Sequence, residues 1–345
     1  MNRLDILPAL DNPAPPPAFE PVGWRQALRD AVRDPLELCR LLRLPQRCEA
    51  AAVRAARQFG LFAPRGYIAR MRPGDPDDPL LRQVLPLEEE LVLAPGFVRD
   101  PVNDAGAALQ AGLLQKYATR ALIVATGACA VHCRYCFRRH YPYSEGPRSL
   151  AEWEPALQRI AADPSLDEVI LSGGDPLTLV DDWLGRLVGR LAAIGHLRRL
   201  RIHTRLPIVI PERVCDDLLA WLCGSRLTTI VVVHANHPAE LAPDVEAALA
   251  RLADAGLLLL NQSVLLRGVN DDADVLTSLC RRLVDLRVIP YYLHQLDRVA
   301  GAAHFEVPQQ AGLELMARLR ERLPGYAVPR YVQETAGETH KRVLA

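Results

Sequence analysis

Three cysteines dominate the chemistry open to this sequence. Cys129, Cys133 and Cys136 lie in the segment GACAVHCRYCFRRHY, at C-x3-C-x2-C spacing. Thiolates prefer soft metals, and a loop of this length can wrap three sulfurs around one centre. Structural zinc needs a fourth ligand, for which His132 and His140 are the candidates, and the second cysteine pair of a zinc ribbon is missing. A [4Fe–4S] cluster usually takes four thiolates, so three leave one iron open to a substrate or cofactor. We read the segment in that last way. The other cysteines (Cys39, Cys48, Cys215, Cys223 and Cys280) sit mostly in helical patterns beside Leu, Val or Trp. Free cysteine there behaves as a small core residue.

Such a loop needs a rigid support. From about residue 120, short apolar or β-branched runs alternate with amphipathic stretches. The runs are 121–126, 168–172, 199–204, 228–234, 257–264 and 288–294. Helical periodicity fills 149–162, 179–194, 211–223, 241–255, 272–286 and 308–322. Roughly six β/α units in series predict a parallel sheet with right-handed crossovers, either doubly wound or a partial barrel. The polar residues favour the barrel. Each run ends in side chains able to bind or react: the cysteine loop, then Ser172-Gly173-Gly174-Asp175, then His203, Thr204 and Arg205. His234, Asn236 and His237 follow, then Asn261, Gln262 and Ser263, and finally His294, Gln295 and Asp297. The carboxyl ends of parallel strands are where ligands bind. Ahead of the barrel, residues 1–22 read as a Pro- and Ala-rich arm. Residues 23–118 read as a helical and irregular region, with 64–118 the irregular part, and residues 119–345 carry the barrel.

Composition narrows the class. The chain has 345 residues, half of them hydrophobic, with 41 basic and 41 acidic side chains. A formal net charge of zero gives no global field to recruit nucleic acid or an anionic membrane. No apolar run of about 18 residues is present, and the N-terminus lacks the basic-then-apolar order of a signal peptide, so we expect a cytoplasmic protein. Only Lys116 and Lys341 offer a side-chain amine. Lys116 precedes the first strand of the barrel, and so is expected at the amino-terminal end, away from the mouth.

The C-x3-C-x2-C motif, with Tyr135 before its last cysteine, resembles the radical S-adenosylmethionine superfamily. That resemblance implies a partial (β/α)6 radical SAM barrel with a [4Fe–4S] cluster on Cys129, Cys133 and Cys136. Its open iron would chelate S-adenosylmethionine, and an electron from the cluster would cleave that cofactor to a 5′-deoxyadenosyl radical. Ser172, Gly173, Gly174 and Asp175 resemble the superfamily's Gly-Gly-Glu-type motif near the methionine amino group, with Asp as the acid here. Alone, this motif reads as an ordinary strand-to-helix turn with an N-cap Asp.

Further segments narrow the resemblance. CRYCFRRHY, LSGGDPL, VHANHP, AGLLLLNQSVLLRGVND, PYYLHQLD, GAAHF and GYAVPRYV are together similar to lysine 2,3-aminomutases over about residues 85–341. RGYIARMRPGDPDDPLLRQVLP and the short C-terminus resemble the branch that serves elongation factor P modification. The family implies pyridoxal 5′-phosphate on Lys341, L-lysine as substrate, a partner lysine ligase acting on elongation factor P, and a reducing donor such as flavodoxin or ferredoxin. It implies Arg138 for the substrate carboxylate, and Asp297 with Glu334 for the ε-ammonium. Arg120, His234, Asn236 and Gln262 would lie beside the cofactors. The family's second acid is Asp, so Glu334 is longer by one methylene. The approach to Lys341, Thr335-Ala336-Gly337-Glu338-Thr339-His340, holds one glycine where the family is glycine-rich. Two other functions are compatible with parts of the pattern: a 2,3-aminomutase for another amino acid such as arginine or glutamate, and a non-catalytic iron–sulfur or zinc interaction protein.

Overall fold

A computed structural model describes residues 23–345. The arm expected over residues 1–22 lies outside the described residues. The sheet has ten strands in sequence order: β1 (Ala108–Gln110), β2 (Leu113–Tyr117), β3 (Arg120–Thr126), β4 (Glu168–Gly173), β5 (Arg199–Thr204), β6 (Thr228–Val233), β7 (Leu258–Val264), β8 (Ile289–His294), β9 (Arg330–Gln333) and β10 (Arg342–Val343). Pairing is parallel from β3 through β9 and antiparallel at the β1–β2, β2–β3 and β9–β10 steps. β1 and β10 are the two ends of the strand order, so the barrel is partial. The six runs read from the sequence form β3 to β8, within a residue or two at each end. Helices occupy Glu154–Ala161, Asp181–Ala192, Asp216–Cys223, Pro243–Asp254, Ala273–Asp285 and Gln309–Arg322 between and after them. Among the described residues, no helix is long and apolar enough to cross a membrane.

Two strands sit where sequence reading expected irregular chain: β1 and β2 fall within 64–118. Both are short and lack a clean alternation, and β1 is exposed throughout. They are held by pairing, β2 with β3 and β1 with β2, not by a pattern of their own.

Side-chain alternation separates two environments. Val169, Leu171, Leu200, Ile202, Val231 and Leu259 point outward and are buried in the apolar layer under the helices. The alternate positions, including Ser172, His203 and Gln262, share the inner face; His234 continues that alternation just past β6. The region before the barrel packs into the same outer layer. Trp24, Leu38, Tyr67 and Leu80 belong to one apolar cluster with Val169 and Leu200. The helix Trp24–Arg29 ends before Pro35, which opens the next helix, Pro35–Leu41, capped by the Asp34 carboxylate.

Candidate active site

The cysteine loop leaves β3 at Thr126 and is held from both sides. Gly173 and Gly174 end β4 against it, and a Cβ on Gly174 would stand 2.2 Å from the Ala128 carbonyl oxygen. Only glycine permits that approach. Gly174 N–H donates to Thr126 O and Asp175 N–H to Ala128 O, each at 2.7 Å. From the other side Arg134, fully buried, forks onto the Glu90 carboxylate at 2.8 and 2.6 Å. Arg139 joins the same carboxylate at 2.7 Å. Removing Glu90 leaves two buried cations facing each other. Glu90→Ala is therefore expected to destabilise the protein by about 3–5 kcal/mol, read from denaturant unfolding, and to loosen the loop so that iron retention falls.

Burial pushes the Cys129 thiol well above its usual range, with neighbouring Cys136, Asp175 and Cys133 adding to the effect. Burial and Cys133 push Cys136 up to about 11. Thiols this close resist ionising together, and bound cationic iron removes that resistance. Arg205 Nη1 donates to Cys133 Sγ at 2.8 Å, and Arg205 is itself anchored on Glu240 and Gln83. The donor set suits a cluster. Neither histidine considered as a zinc ligand turns to the sulfurs: His132 Nδ1 meets Gly60 O at 2.8 Å, and His140 Nε2 meets Ala300 O at 3.1 Å. Among the described residues, no three His, Cys, Asp or Glu side chains are grouped to hold a single metal ion.

Inside the barrel the Nε2 atoms of His203, His234 and His294 are buried and have no hydrogen-bond partner. Burial depresses the basicity of all three imidazoles, with His234 at about 3. Buried polar atoms without partners are uncommon, and three around one chamber fit a polar cofactor. Gln262 is half-buried on the inner face of β7, with Tyr292 as its β8 neighbour. Arg120 lies at the start of β3, its guanidinium 4.1 Å from the centre of the Tyr117 ring.

Two expected cofactor neighbours are otherwise engaged. The Asp175 carboxylate accepts from Leu177 N–H, Thr204 Oγ1, Arg205 N–H and Leu206 N–H, so it caps Pro176–Thr178 and ties β4 to β5. Its carboxylate has no free edge for a ligand amine. Asn236 Nδ2 donates to Tyr135 OH at 2.6 Å and to Gln83 Oε1 at 3.0 Å, while its Oδ1 accepts from Val264 N–H. Both residues build the wall.

Lys341 immediately precedes β10. Antiparallel pairing of Arg342 with Gln333 sets it opposite Glu334, and Nζ pairs with that carboxylate. Tyr117 OH donates to the other Glu334 oxygen at 2.8 Å. Burial opposes ionisation of Glu334, but Lys341, Tyr117 and Lys116 hold it below the usual carboxylate range. Asp297 lies beyond β8, and the segment before the barrel crosses there through a Val98–Val299 bridge. Burial and Glu334 push the Asp297 carboxyl up to about 7, against the pull of Lys341.

Lys116 corrects the sequence reading. It reaches the site: its Nζ is 2.9 Å from Asp104 and 4.0 Å from Glu334. Tyr117 at the end of β2 likewise meets Glu334 just past the end of β9, so the ends of these two strands come together. Asp104, Glu90, Gln83 and Tyr117 were not foreseen either. They lie in the stretch read as irregular, with no apolar run to mark them. Asp104 is nonetheless central. It holds Arg138, whose Nε and Nη2 are 2.7 and 3.5 Å from its oxygens, while Arg138 Nη1 donates to Ser172 at 3.3 Å.

With this geometry in view, similarity to known proteins becomes specific. Residues 123–279 match the radical SAM superfamily. The fold and the three-cysteine loop thus define a radical SAM barrel, a class that implies a [4Fe–4S] cluster and S-adenosylmethionine. The chain is 48% identical over 322 residues to the L-lysine 2,3-aminomutase of Escherichia coli, covering 93% of this chain and 94% of that one. It is 43% identical to that of Haemophilus influenzae, covering 96% and 98%. Against that of Clostridium subterminale it is 33% identical, covering 91% and 76%. The chain belongs to the L-lysine 2,3-aminomutase family, and it is an isomerase of the intramolecular aminomutase type.

Proposed function

We propose that this enzyme converts L-lysine to β-lysine for attachment to elongation factor P by a partner ligase, with pyridoxal phosphate carried on Lys341 and the cluster on Cys129, Cys133 and Cys136. One observation carries the reading. A lysine ammonium, that of Lys341 itself, rests on Glu334 beside Asp297, while a buried guanidinium, Arg138, holds a carboxylate, that of Asp104. Both ends of an amino acid with a cationic side chain thus have partners of the right charge. The resemblance of RGYIARMRPGDPDDPLLRQVLP to the elongation factor P branch supports that part of the reading.

When bound, the cluster with S-adenosylmethionine supplies a carbon radical, and pyridoxal phosphate supplies a ring that delocalises spin. The chain does the rest. Arg138 offers N–H donors to the substrate carboxylate. Asp297 and Glu334 accept from the ε-ammonium, and Glu334 also pairs with the Lys341 amine. His203, His234, His294 and Gln262 present polar atoms to the cofactors, and Arg120 flanks them across Tyr117. The walls keep water and oxygen from reactive carbon.

Asp297 gives this reading a pH signature. Its carboxyl is raised from 3.8 to about 7 in the folded protein. In the ligand-free enzyme, the stability this group contributes is therefore complete below the unfolded value and lost as pH rises through 7. Binding an ammonium demands the ionised form, so affinity runs the opposite way. Lysine Kd is expected to fall about tenfold per unit as pH rises towards 7 and to level off above it. Asp297→Asn flattens that profile and weakens lysine. A large, lysine-specific loss supports the acidic pair, and an unchanged Kd overturns it in favour of a different amino acid substrate.

The test of the whole assignment is incubation of the reduced holoenzyme with free L-lysine and, separately, with elongation factor P bearing an attached lysine. Isomerisation conserves mass, so β-lysine is separated chromatographically. β-Lysine from the free amino acid supports the reading, and its absence from both incubations overturns it.

A further inference from the structure

Asp104 is a second carboxylate in the Arg138 site, and its geometry is one-sided. Its oxygens engage Nε and Nη2, the lateral edge of the guanidinium. Nη1 points elsewhere, towards Ser172. Asp104 is itself pinned: Lys116 Nζ reaches it at 2.9 Å and donates to Val102 O at 2.8 Å. Asp104 and Arg138 are both buried, and both line a cavity of about 490 Å³ with Arg99, His140 and Tyr141. Arg138 also lies over Phe137, its guanidinium carbon 4.8 Å from the ring centre. A guanidinium held along one edge and stacked on a ring cannot swing, and its remaining N–H donors are presented in a fixed direction.

We propose that Asp104, anchored by Lys116, is a positioning residue that aims Arg138 at the substrate carboxylate. The inference rests on Arg138 being the carboxylate clamp. It adds two residues that act through Arg138 without touching the substrate. Lys116 has a second neighbour in Glu334, so charges of alternating sign run from Arg138 through Asp104 and Lys116 to Glu334 and Lys341. The carboxylate end and the ammonium end of the substrate site are thereby held in one frame.

The experiment compares two ligands on the reconstituted holoenzyme by calorimetry: L-lysine, and L-lysinamide, which lacks the carboxylate. Asp104→Asn keeps the size of the side chain and removes its charge. It is expected to weaken L-lysine about tenfold or more, the worth of one charged hydrogen bond, and to leave L-lysinamide unchanged. Lys116→Gln, which also removes a charge beside Glu334, is expected to weaken L-lysine more than L-lysinamide, and Asp104→Glu to restore part of the lysine affinity. Iron and pyridoxal contents equal to the parent's identify variants that still fold. Equal weakening of both ligands by Asp104→Asn and Lys116→Gln overturns the proposal and makes the pair structural. Arg138→Gln separates the two levels. If it discriminates between the ligands while Asp104→Asn does not, the positioning role fails and the clamp stands. If Arg138→Gln weakens both equally, the clamp fails and the positioning role with it.

Discussion

Lys341→Ala is expected to abolish both covalent attachment of pyridoxal phosphate and aminomutase activity. Only two side-chain amines exist in the chain, and both lie at the site. They are not equivalent. Lys116 is held by Asp104 and Val102 O in the wall, with Glu334 4.0 Å away, whereas Lys341 pairs with Glu334, at the turn between two strands of the open sheet edge. Glu334 holds the Lys341 amine at the site. Loss of a covalent catalytic residue should lower turnover by on the order of 10³-fold or more. Borohydride reduction of the parent enzyme should fix the cofactor on the peptide carrying Lys341, and the variant should carry none. Label on the Lys116 peptide would move the attachment point there.

Cys136→Ser is expected to have an effect as large by a different route. Two thiolates hold an iron–sulfur cluster poorly, and a serine oxygen is a hard ligand for a soft centre. Reconstituted parent enzyme should bind about four irons per chain with the brown absorbance of a [4Fe–4S] cluster. The variant should lose most of that iron and all reductive cleavage of S-adenosylmethionine. Folding itself should survive, because Arg134, Glu90 and the Gly173–Gly174 contacts hold the loop without metal. A variant with full iron content would remove Cys136 from the ligand set.

How much of this was legible in the sequence depends on the kind of signal each residue carries. The six barrel strands announce themselves because a buried parallel strand needs a continuous apolar run. Residues at the ends of those runs follow, which is why Ser172, His203, His234, Gln262 and His294 were in view. The cysteine spacing is local, and nothing else in the chain resembles it. Asp104, Glu90 and Gln83 carry no such mark. Each is a polar residue in a turn-rich segment, and its role exists only once the chain crosses the mouth and bridges to Val299. Lys116 was misplaced for a related reason. Its place before β3 suggests the amino-terminal end of the barrel, whereas its contacts with Asp104 and Glu334 bring it to the site. Asp175 shows the converse. Motif resemblance drew it towards the cofactor, while four donors from its own surroundings claim its carboxylate.

The central claim is that Cys129, Cys133 and Cys136 hold a radical generator working beside a pyridoxal-bearing Lys341. The most direct measurement uses L-lysine deuterated at C3 with the reduced holoenzyme and S-adenosylmethionine. Hydrogen abstraction and return through the 5′ carbon should produce β-lysine and leave deuterium in recovered S-adenosylmethionine. β-Lysine formed with no deuterium reaching the cofactor, or cofactor cleavage with no isomerised lysine, would contradict the account.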